Sequence, residues 1–85
     1  MKHLKSVEKY SGTLEELAKD IINMRYDSVA EFFEYLSEKL IADSINDYHR
    51  GRKQLSNKLL SASEKMLGAK EIMDSIWKIC KEHMR

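Results

Sequence analysis

Two pairs of carboxylates, Glu31 with Glu34 and Asp43 with Asp47, are the side chains of this sequence best suited to chemistry. Carboxylate oxygens are the ligands magnesium prefers, and acids three or four residues apart share a helix face, so such pairs can hold a metal at a phosphate. At about 100° per residue, however, Glu31 and Glu34 fall well round the helix from Asp43 and Asp47. Cys80 and His83 also share a face, and a neighbouring imidazole favours the thiolate. No third group orients that pair, and Cys80 occupies a position that the apolar pattern assigns to packing. The sequence therefore predicts no catalytic residue, no metal ligand and no cofactor. The acids read as a solvated face, and the chain reads as a non-enzyme.

A basic cluster, His49, Arg50, Arg52 and Lys53, surrounds Gly51, with Tyr48 before it and Lys58 after it. Arg50, Arg52 and Lys53 are the candidate phosphate contacts of an alternative reading, a nucleic-acid-associated regulator. The net charge of +1 is small for that role, and the acids between 31 and 47 would repel a polyanion, so nucleic acid is not the expected partner. Glu31-x-x-Glu34 followed by Asp43-x-x-x-Asp47 resembles the paired acidic motifs of all-helical nucleoside triphosphate pyrophosphohydrolases. That resemblance implies a third reading, a magnesium-dependent nucleotide hydrolase working through carboxylates of the second helix. The second pair departs from the family's Glu-x-x-Asp spacing, and no motif places a Lys or Arg at a phosphate. With no Glu-x-x-His pair, a ferritin-like di-iron site is not expected.

The elements that position these groups must be helices. The chain has no proline, and its three glycines stand at 12, 51 and 68 with none of the turn clusters that strands require. Its 85 residues allow one small domain, near the size at which a single core supplies only a few kcal/mol. At 34% charged and 42% apolar the composition is neither disordered nor membrane-spanning. No run approaches the roughly 18 apolar residues of a bilayer span, and the basic start is followed by no apolar signal core. A lone cysteine forms no internal disulfide, and a cytoplasmic location is expected.

Residues 1–12 read as a flexible tail, with at most a turn between Leu4 and Lys9, and residues 13–85 as a single helical domain. Thr13 and Glu16 form a capping-box signature, and Leu14, Leu17, Ala18, Ile21 and Met24 then share one face of a helix over 14–25. Ser28 and Glu31 repeat the pattern, opening a second helix over 29–50. Its stripe wanders: Val29, Phe32, Phe33, Leu36 and Leu40 share a face, whereas Ile41, Ile45 and Tyr48 lie about 100 to 160° round from it. Either different neighbours cover the two halves, with the first helix on Val29 to Leu40 and something else beyond it, or Asp43 and Asp47 stand in line with the earlier stripe for a reason of their own. The first is expected because the first helix, about 16 Å long, covers only one end. A third helix is expected over 52–84, unbroken at Gly68, because Leu55, Leu59, Ala62, Met66, Ala69, Met73, Ile76 and Cys80 alternate spacings of four and three, an a/d seam, with Trp77 beside it.

Gly51 decides the architecture. A left-handed glycine there would turn the chain back into an antiparallel hairpin, and the acidic half of the chain, about −3, would face the basic half, about +4. Against it, stepping back from Leu55 by three and four reaches Arg52, Tyr48, Ile45 and Ile41, which fits one through-helix about 82 Å long in an extended dimer. The hairpin is expected, with the through-helix as its rival. The fold class is therefore all-α: a hairpin of two long helices plus a short N-terminal helix, dimerising because the apolar flanks exceed what three helices can hide. The functional expectation is a small protein-interaction or regulatory module, homodimeric through the seam and Trp77, with another protein as a further possible partner and no membrane association.

Overall fold

The computed structural model describes residues 3–83. They form α1 (Leu14–Ile22), α2 (Tyr26–His49) and α3 (Lys53–His83), with no strand among them. None of these helices is long and apolar enough to cross a membrane. Residue 84, the expected end of the third helix, lies outside the described residues.

The first helix starts where its capping box places it. The Thr13 hydroxyl accepts from the Glu16 N–H at 3.1 Å, and the Glu16 carboxylate accepts from the Thr13 N–H at 2.9 Å, so two N–H groups that a helix start leaves unpaired are satisfied. Those bonds hold the Glu16 carboxyl below its usual range. The helix stops at Ile22, earlier than the expected residue 25, because Arg25 is extended (φ −54°, ψ 140°) and α2 begins at once with Tyr26. The cap expected at Ser28 is corrected accordingly. Ser28 lies inside the first turn, where the Asp27 carboxylate accepts from its N–H at 2.9 Å. Asp27 also takes both arms of the Arg25 guanidinium, at 2.8 and 2.7 Å. A charged acceptor in the first turn thus does the work assigned to a serine hydroxyl. Upstream, the expected turn between Leu4 and Lys9 is a bend at Lys5 and Ser6 followed by one tight turn at Glu8 and Lys9, closed by Tyr10 N–H on the Val7 carbonyl at 3.1 Å. The Tyr10 hydroxyl donates to Asp20, and Gly12 passes so close beneath the Tyr10 ring that a Cβ would sit 2.7 Å from it.

The corner at 48–55 is a turn, and the through-helix is excluded. Gly51 has φ 79°. Its N–H donates to the Tyr48 carbonyl at 3.0 Å and that of Arg52 to the Asp47 carbonyl at 2.8 Å, the paired bonds of a Schellman helix end. Gly51→Ala should therefore lower stability by about 1 kcal/mol, since an alanine pays for left-handed backbone that glycine adopts freely. Thermal denaturation would show a midpoint several degrees lower. Gly68 behaves in the opposite way: it lies inside α3, and an added Cβ would meet nothing within 4 Å. Gly68→Ala should raise stability by about 1 kcal/mol in the same assay.

The long helices pack through a line of small residues. Ala30, Ser37 and Ser44 recur every seven residues on α2, as Ser56 and Ser63 do on α3, and all are buried. The Ser37 hydroxyl donates to the Ser63 carbonyl at 3.1 Å. Ser44 and Ser56 each donate to the other's carbonyl, at 2.8 and 2.7 Å. Small side chains let the two backbones approach, and among the described residues every buried hydroxyl finds a hydrogen-bond partner.

That choice of contact pushes the large apolar side chains to the two flanks. Among the described residues only Val29 and Ala30 are fully buried apolar residues. The molecule measures 53 × 29 × 14 Å, little more than one helix thick. The architecture is the expected one, two long helices packed as a hairpin with a short N-terminal helix, and α1 approaches the backbone of α2 and not that of α3.

Candidate interaction surfaces

The groups with chemical potential are dispersed by this fold. Asp43 pairs with Lys39 at 2.5 Å and Asp47 with Arg52 at 3.3 Å, while Glu31 and Glu34 stand toward the other end of α2. Among the described residues no three His, Cys, Asp or Glu side chains gather closely enough to hold a metal ion. At the corner the basic residues diverge too. Arg52 is engaged by Asp47, and the Lys53 ammonium lies 5.9 Å from the Tyr48 ring centroid, so of the candidate phosphate contacts Arg50 alone has no acidic or aromatic partner among the described residues. Cys80 and His83 line an open groove of about 640 Å³ with Ile22, Met24, Arg25 and Trp77. There the Arg25 guanidinium lies 5.1 Å from the Trp77 ring centroid, while its hydrogen bonds to Asp27 raise its pKa.

The seam residues lie together along one side of the hairpin. None is fully buried. Leu55 is 45% exposed, Ala62 is exposed, and Leu59, Met66, Ala69, Met73, Ile76, Trp77 and Cys80 are half-buried. The seam therefore flanks the line of contact with α2, one step round the helix from Ser56 and Ser63, which occupy it. On α2 the same side carries Val29, Phe33, Leu36 and Leu40, then Asp43 and Asp47. The N-terminal segment reaches this side at both ends. His3 closes a pocket with Asp43, Asp47, Leu55 and Leu59, and Ile22 to Arg25 meet Trp77 and Cys80.

A second apolar surface lies on the opposite side. The wandering stripe of α2 is its signature: Ile41, Ile45 and Tyr48 leave the seam side and join Leu60 and Leu67 of α3. The Lys53–Tyr48 contact confirms that these portions of the two helices share a side. Ile45 is 53%, Leu60 43% and Leu67 37% exposed. Sequence reasoning saw the shift in α2 and the spare apolar residues of α3, but it did not join them into one surface. The signal was available in the angular offset.

The expected pairing of an acidic α2 with a basic α3 is also corrected. Among the described residues every ion pair is local: Glu15–Lys19, Arg25–Asp27, Lys39–Asp43, Asp47–Arg52 and Lys70–Asp74. Serines occupy the line of closest approach, so the long charged side chains project away from it. Glu34 still stands near enough to Lys70 to help Asp74 raise the pKa of that ammonium.

No protein-family model, curated protein or solved structure matches this chain.

Proposed function

We propose that this chain is a protein-interaction or regulatory module that associates with a second copy of itself through the α3 seam between Leu55 and Cys80, with Trp77 at its edge. The observation that carries the reading is surface. A compact monomer of 10.0 kDa has an accessible area of about 5,200 Å², and this chain has 7196 Å². The excess, about 2,000 Å², is of the order that a chain gives up in a stable homodimer. Shape agrees with area: the radius of gyration is 15.5 Å, against about 12 Å for a compact domain of this length. A helix hairpin one layer thick gains a second layer by stacking on its copy, as small domains do when one core is too thin to sustain them. Met66 and Met73 suit such a contact, being flexible enough to fill an irregular interface. A cytoplasmic site of action fits the single cysteine, Cys80.

Mixing isotope-labelled with unlabelled chains tests the contact. Intermolecular Overhauser effects to the Met66 and Met73 methyl groups are expected; a mixture in which those methyls contact only their own chain overturns the proposal.

A further inference from the structure

We propose that the side opposite the seam docks a cationic amphipathic helix of another protein, which lies along the α2–α3 hairpin over Ile45, Leu60 and Leu67.

The apolar part of the surface comes first. Ile45, Leu60 and Leu67 are large and exposed, half-buried Ile41 stands beside them, and both ends of the N-terminal segment lie on the far side. Antiparallel helices leave a shallow trough along their line of contact. Here its floor is the serine line, its walls are Ile41 and Ile45 on α2 and Leu60 and Leu67 on α3. Ser44 faces Ser56 and Ser37 faces Ser63 across that line, so the span from Ile45 to Leu67 covers about 18 Å, three turns of a docked helix. Such a helix would present apolar anchors spaced three, four and seven residues apart.

Charge then selects the occupant. Glu31, Glu34 and Glu38 on α2 and Glu64 and Glu71 on α3 rim the trough, and among the described residues none is in an ion pair. The cations on this side answer little of that charge. Lys70 feels Glu34 and Glu71 but pairs with Asp74, Lys53 sits at the corner against Tyr48, and Lys78 stands beyond the start of α2. A second copy docked here would set one row of carboxylates against another, and like charges in apposition suppress association. A helix with lysines or arginines flanking its apolar face meets the opposite sign on both rims. The inference does not depend on the homodimer, which uses the other side.

The test titrates isotope-labelled protein with a synthetic amphipathic helix of about 18 residues made only of leucine and lysine, and in parallel with its leucine and glutamate counterpart. Saturable 1:1 binding of the lysine peptide is expected, with amide shifts concentrated in 41–48 and 60–67 and with affinity falling about tenfold as salt is raised. Leu67→Ser should weaken binding about tenfold, as should Glu34→Gln combined with Glu38→Gln, whereas Met66→Ser on the far side should leave it unchanged. Circular dichroism confirms that each variant keeps its helices. No saturable binding, shifts confined to the seam side, equal binding of the glutamate peptide, or a peptide-free oligomer that dissociates on Leu67→Ser each overturns the proposal.

Discussion

Ser37→Leu should open the hairpin, lowering stability by about 2 to 3 kcal/mol and leaving little cooperative unfolding to record by circular dichroism. Ser37 is 1% exposed, and its hydroxyl donates to the Ser63 carbonyl at 3.1 Å, so its Cβ already stands at the closest approach of the two helices. A leucine there has no room without separating the backbones, and overpacking a tight contact costs about 1 to 3 kcal/mol. For a domain whose total stability is only several kcal/mol, that is a large part of the whole. Ser44→Ala is the control. It removes one donor from the reciprocal Ser44–Ser56 pair but leaves the Ser44 carbonyl to accept from Ser56, so a loss of about 1 kcal/mol is expected. A leucine tolerated at position 37 without loss would mean that the serine line is not what joins the helices.

Met73→Asp and Met66→Asp should separate the subunits. Both methionines are half-buried on the flank of α3, where the monomer leaves them partly open and the proposed second copy would enclose them. Burying an unpaired carboxylate in an apolar contact costs several kcal/mol, more than a modest homodimer has to spare. Because the same side chains only flank the serine line in one chain, the hairpin itself should survive. The variants should therefore keep their helical circular dichroism while sedimenting as monomers. Met→Leu at either position keeps the apolar contact and should leave the assembly intact.

Local signals in the sequence were legible because their physics is local. Thr13 and Glu16 satisfy one another's backbone groups within four residues, and Gly51 is the residue a left-handed helix end selects, so both ends of the outline could be read directly. The start of α2 was misread for the same reason. A serine followed by an acid three residues on looks like a cap, but Asp27 with Arg25 starts the helix one turn earlier. The seam was correctly seen as a continuous apolar stripe through Gly68, and the contact with α2 was displaced from it by one position. Serines at 37, 44, 56 and 63 carry no hydrophobic signal, and pattern reading assigns small polar residues to solvent. Their seven-residue recurrence, matched on both helices, was the clue that backbones rather than side chains meet there. The second apolar surface was only half legible because it is assembled from half of α2 and half of α3, and the angular offset in α2 marks just one of its two walls.

The light-scattering mass of the full chain across a range of concentrations tests the central claim, that the half-open seam is the contact between two copies. The account predicts twice the 10.0 kDa of one chain at high concentration, returning to a single chain in Met73→Asp. A mass of one chain at every concentration, with the hydrodynamic size of a compact sphere, would contradict it.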